Sequence, residues 1–201
     1  MRKLKSFKKG FTLVELLVVI GIIALLVALL LPALSKAKSV GQRVACINNQ
    51  KQLQMAHTMF SDDHGDKILY SSSWKYERCA EYAWMAGSLN VSKYLNQARW
   101  LAGTPLFPYV GKSIGVFKCP ADKDLVRITN RDGTEIRSIF PRHRSYSMNI
   151  HVGGWAGWPV EDDKEWTIYR KQQDIEKPSN IFTFIEMPFE FINAGCFRVV
   201  M

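Results

Sequence analysis

Between Phe11 and Leu31 the chain runs for 21 residues with a single charged side chain, Glu15, and the run stops at Pro32. At about 1.5 Å per residue a helix of that length covers roughly 32 Å, close to the ~30 Å hydrocarbon thickness of a bilayer. A cleaved secretory signal has a shorter apolar stretch, about 7–15 residues, followed by a small-x-small site. Leu30, Leu31, Pro32 and Ala33 make a poor site of that kind. The expectation is a membrane-spanning helix over 11–31. Arg2, Lys3, Lys5, Lys8 and Lys9 precede it and hold the N-terminus in the cytoplasm by the positive-inside rule, so residues 33–201 are expected outside.

Glu15 stands out against that background. A carboxylate in hydrocarbon costs a few kcal/mol, so it is snorkelled to the headgroups, protonated, or paired. A free amine at Phe11, made by cutting after Gly10, would supply a positive partner at that depth on a neighbouring chain. Inside the run, Ala24 and Ala28 have the small-xxx-small spacing that permits close helix approach, and Gly21 is small as well.

The basic leader, Gly10-Phe11-Thr12-Leu13-Val14-Glu15, the apolar run and Pro32 together resemble the N-terminus of type IV prepilins and type II secretion pseudopilins. The resemblance implies cleavage between Gly10 and Phe11 by a prepilin peptidase and N-methylation of Phe11. It also implies filament assembly through Glu15 and a helix kink at Pro32. The implied partners are the peptidase, other pilin or pseudopilin subunits, an inner-membrane assembly platform and the bilayer. The implied location is the inner membrane and then a filament.

Composition narrows the remainder. Removing the leader's five basic side chains from the net charge of +9 leaves +4, thin support for nucleic acid, which is not an expected partner. About 170 residues beyond the span suffice for one head domain. Four cysteines, Cys46, Cys79, Cys119 and Cys196, fall on the side where disulfides are permitted. None forms a CxxC and no histidine completes a zinc site, so no metal or cofactor is expected. Three pairings are possible; the preferred one is Cys46 with Cys119 and Cys79 with Cys196, with free thiols as the alternative.

From residue 33 to residue 60 helix formers dominate. At 100° per residue Ala37, Val40, Val44, Ile47 and Met55 share one face, and Cys46, Leu53 and Phe60 form a second stripe beside Ala56. One stripe can cover the head and the other a neighbour, or both can be core. The helix should end in the turn cluster 61–66, whose Asp62, Asp63 and Asp66 lack the spacing of a calcium loop and read as a solvated turn. Beyond it, 82–89 and 91–101 can hold a short helix and loops. Strands are expected at 114–118, 125–129, 135–140, 145–152 and 181–186, with Asp132-Gly133 as a hairpin turn. The fold class is therefore α+β: a leader at 1–10, a membrane helix at 11–31, its continuation at 32–60, and a head at 61–201 with a small antiparallel sheet against the helix.

Three head segments, 46–53, 117–122 and 144–149, resemble a pseudopilin-like group of planctomycete and verrucomicrobial relatives. Members of that group close with a His-containing stretch and an Asp-Gly-His turn, so this head is expected to lack its final strand by truncation or divergence. No catalytic site gathers: Ser71, Ser72, Ser73, His143 and His151 are scattered and no GxSxG elbow is present, so an enzyme is not expected. The favoured function is a structural filament subunit. The alternative is a membrane-tethered module that recognises polysaccharide or DNA through aromatics such as Trp155 and Trp158, with Arg142, His143 and Arg144 beside Tyr146 as a thin basic patch.

Overall fold

The computed structural model describes residues 12–73, 82–85, 97–129, 135–156, 167–187 and 196–197. Helix α1 (Leu13–Asp63) runs through 51 residues. Pro32 lies inside it and has no N–H to offer the Ala28 carbonyl, yet helix continues on both sides. The chain separates into two compact units, Met1–Gly41 and Gln42–Met201.

In the first unit every described side chain from Thr12 to Gly41 is exposed, the long apolar ones included. Water does not favour such a surface, and a bilayer does. The second unit begins with the rest of α1, where the two apolar stripes take different fates. Cys46, Leu53, Ala56 and Phe60 are buried together with His57 and Ser61. Val44, Ile47 and Met55 stay exposed, with Met59 beside them. The helix stops where Gly65 takes a left-handed conformation and the Asp66 N–H donates back to the Ser61 carbonyl at 2.8 Å, a Schellman-type end.

The head is α+β, and its strands are short. β1 (Ser72–Ser73) pairs in parallel with β5 (Trp155–Ala156). β2 (Leu125–Thr129) and β3 (Glu135–Pro141) form the expected antiparallel hairpin, whose turn at 130–134 lies outside the described residues. β4 (Tyr146–Asn149) is the centre of a three-stranded sheet, antiparallel to β6 (Phe184–Glu186) and parallel to β7 (Cys196–Phe197). Strand directions are thus mixed, where a single antiparallel sheet was expected. The short helix α2 (Gln97–Ala102) overlaps the segment 91–101 expected to hold one and runs one residue past it.

Residues 114–117 form a 3₁₀ turn, not the expected strand. A strand would send Val116 and Phe117 to opposite faces, whereas here both neighbours are buried. The core they join is built around Trp84, which is fully buried, stacked near Phe117 (6.0 Å between centroids) and edge-on to Phe184 (4.9 Å). Leu53 and Phe60 of α1 and Tyr146 and Met148 of β4 close it. The backbone packs tightly at Gly153: a Cβ there would sit 1.7 Å from the Leu69 carbonyl oxygen.

His57 titrates against this core. Burial alone pushes its imidazole down to about 4. The unfolded chain takes up that proton near the ordinary histidine value of about 6.5, so the contribution is full above that pH and is lost as pH falls toward 4. The shift corresponds to about 3 kcal/mol. His57→Leu should flatten the fall of the head's unfolding midpoint between those pH values, as read by circular dichroism of the full chain in detergent.

Candidate functional site

Two places bring together residues that the sequence singled out. The first is the start of α1. Glu15 N–H donates to the Thr12 hydroxyl oxygen at 3.3 Å, and the Thr12 N–H donates to Glu15 Oε2 at 2.8 Å. The Thr12 hydroxyl adds a bond to the same oxygen at 2.7 Å. This is a capping box, in which N-cap and third residue satisfy each other's orphan groups. Glu15 therefore has a partner within its own chain, and the negative charge sits at the positive end of the helix dipole. The Thr-x-x-Glu spacing was visible in the sequence but masked by the question of membrane depth. Gly10 and Phe11 lie outside the described residues.

The second is a joint between α1 and the head, where segments 46–53, 117–122 and 144–149 meet. Cys46 of α1 is bonded to Cys119. Asn49, one turn further along, donates from its amide to the Lys118 carbonyl at 2.8 Å, which gives the 3₁₀ turn at 114–117 a side-chain tie to the helix. The Tyr146 hydroxyl donates to the Cys46 carbonyl at 3.3 Å. Burial pushes that phenol up to about 12, which keeps it a neutral donor.

Asp122, whose N–H donates to the Cys119 carbonyl at 3.0 Å, has a carboxylate side chain that is 1% exposed. It accepts short hydrogen bonds from Arg142 Nε and from the Ser145 hydroxyl. Ser145 Oγ in turn accepts the Cys119 N–H at 3.0 Å, and Arg142 Nη1 donates to the Met187 carbonyl at 2.9 Å. Asp124 adds a second carboxylate 3.3 Å from Arg142 Nη2. A buried carboxylate and guanidinium are stable together when their remaining donors and acceptors are met, as they are here.

The same geometry corrects the basic patch suggested at residues 142–144. Arg142 and Arg144 are buried, so they present no surface to DNA. Arg144 lies 5.8 Å from the Trp84 ring centroid and donates to the Tyr146 carbonyl at 2.9 Å. Burial pulls it down to about 9, with nearby Cys196 opposing that shift. Cys196 is a free thiol pushed up to about 11 by burial, hence no reactive thiolate at neutral pH. Cys79, its expected partner, lies outside the described residues, as does Trp158.

Other suggested groups do not assemble. The Ser71 hydroxyl donates to the Gly154 carbonyl, the His151 ring contacts the Thr167 carbonyl, and His143 is exposed. In the acidic turn Asp63 accepts from the Tyr109 hydroxyl and Asp66 from the Gln173 N–H. Among the described residues the grouping with metal-ligand spacing is Cys46, Cys119 and Glu186, within 4.8 Å, and both its sulfurs are in the disulfide.

Residues 5–31 match the family profile described as the prokaryotic N-terminal methylation motif. No curated protein and no solved structure matches the chain. The chain thus carries a prepilin-type N-terminal motif and is a membrane-anchored protein, with one helix among the described residues long and apolar enough to cross a membrane.

Two changes test the joint. Asp122→Asn leaves Arg142 with the exposed Asp124 as its remaining carboxylate, and should lower stability by about 3 kcal/mol. Reducing the disulfide, which spans 73 residues, should cost about 4 kcal/mol by loop entropy. Both are read as unfolding midpoints in denaturant.

Proposed function

We propose that this chain is the precursor of a structural filament subunit of a type II secretion or type IV pilus-like machine. The observation that carries the reading is the motif match over residues 5–31. On this reading prepilin peptidase cuts between Gly10 and Phe11 and methylates the new Phe11 amine. The leader faces the cytoplasm, and the head stands outside the inner membrane, where a disulfide persists.

The capping box suits such an assembly. Both Thr12 bonds fall on Oε2 of Glu15, which leaves Oε1 to meet the Phe11 amine of an adjacent subunit. The exposed apolar stripe of α1, Val44, Ile47 and Met55, supplies a face for further copies while the opposite stripe is occupied by the subunit's own head. The inner-membrane assembly platform is the partner that would draw subunits from the bilayer into the filament.

Co-expression with a prepilin peptidase should yield a protein whose mass begins at N-methylated Phe11. Gly10→Val should retain Met1, and Glu15→Val should be processed normally yet give little sheared filament. A wild-type protein that keeps Met1 in the presence of active peptidase would refute the proposal.

A further inference from the structure

On the head, the backbone brings three cations and two phenols around one pocket of about 390 Å3, lined by Lys67, Ile68, Tyr70, Tyr82, Gly153, Arg170 and Lys171. Its size is at the lower end of small-ligand sites, about 300–1,000 Å3. Its walls are fixed by main-chain bonds: Ile68 N–H to the Arg170 carbonyl at 2.9 Å and Tyr70 N–H to the Tyr82 carbonyl at 2.7 Å.

All three cations are exposed, and their charges have the same sign. Lys67 and Lys171 are directly opposed as an antiparallel bridge, and like charges in that position repel. Arg170 adds a third positive charge and lies 5.9 Å from the Tyr70 ring centroid. No carboxylate lines the pocket, and none of the three cations has an ion pair among the described residues. Asp66 and Asp174 lie beside the cluster, accepting the Gln173 N–H and the Lys171 N–H, and neither forms an ion pair with Lys67, Arg170 or Lys171. Tyr82, 40% exposed, offers a phenol and a ring face at the rim.

We infer that this pocket binds an acidic sugar unit of a polysaccharide, its carboxylate or phosphate held by Lys67, Arg170 and Lys171 and its ring resting on tyrosine. Such an anion relieves the repulsion between the lysines, and guanidinium and ammonium groups hydrogen-bond both kinds of oxyanion. A nucleic acid strand fits less well. It needs a positive track along its backbone, whereas these cations line a single pocket. The inference stands independently of filament assembly.

The test uses the full chain in nanodiscs of zwitterionic lipid and saturation-transfer NMR. The probes are trigalacturonate, its neutral methyl ester, galactose 6-phosphate and oligothymidylate. Binding of trigalacturonate or galactose 6-phosphate without binding of the ester is expected, and which of the two binds separates carboxylate from phosphate. Arg170→Gln and Lys171→Gln should each weaken it roughly tenfold, and Lys67→Gln should do the same without lowering the unfolding midpoint. The inference is overturned if neither acidic probe binds, if the ester binds equally, if the substitutions leave binding unchanged, or if oligothymidylate is preferred.

Discussion

The Asp122 carboxylate is where the packing of the head against its own helix is decided. Arg142 and Ser145 both reach it, and Ser145 also receives the Cys119 N–H, so one buried anion aligns the segments at 117–124 and 142–149. The Cys46–Cys119 bond then ties that assembly to α1. A charge buried without partners would cost several kcal/mol, so each of these groups needs the others in place. Tyr146 and Asn49 add hydrogen bonds across the same joint, and the apolar core around Trp84 fills in beneath it.

This joint gives the two sides of α1 different surroundings. The stripe through Cys46, Leu53 and Phe60 is consumed by the head, which leaves Val44, Ile47 and Met55 uncovered. An apolar face of this kind, on the part of the helix beyond the membrane-length run, is poorly suited to water and well suited to other protein. The first unit has the same property throughout, with lipid as the natural cover.

Much of this was legible because it rests on local chemistry. The 3.6-residue period and the Asp-rich turn marked the helix and its end, and Asp132-Gly133 marked the β2–β3 hairpin. The 3₁₀ turn at 114–117 was not legible, since three apolar residues around Gly115 suit either conformation until Asn49 ties the turn to the helix. The two-residue strands β1, β5 and β7 are too short to show alternation, and their parallel pairings depend on distant segments. Arg142 and Arg144 were misread for a physical reason: arginine is mostly a surface residue, and only Asp122, itself hidden, allows Arg142 inside. The Thr12–Glu15 cap rests on a three-residue spacing that stands in the sequence itself.

The central claim is that the uncovered stripe of α1 is the surface by which copies of this chain meet. A photo-crosslinking residue placed at Val44 or at Met55 in the processed, membrane-embedded protein tests it most directly. The account predicts a ladder of covalent multimers at both positions, abolished by Glu15→Val. Monomers alone, or a ladder that persists in the Glu15→Val variant, would contradict it.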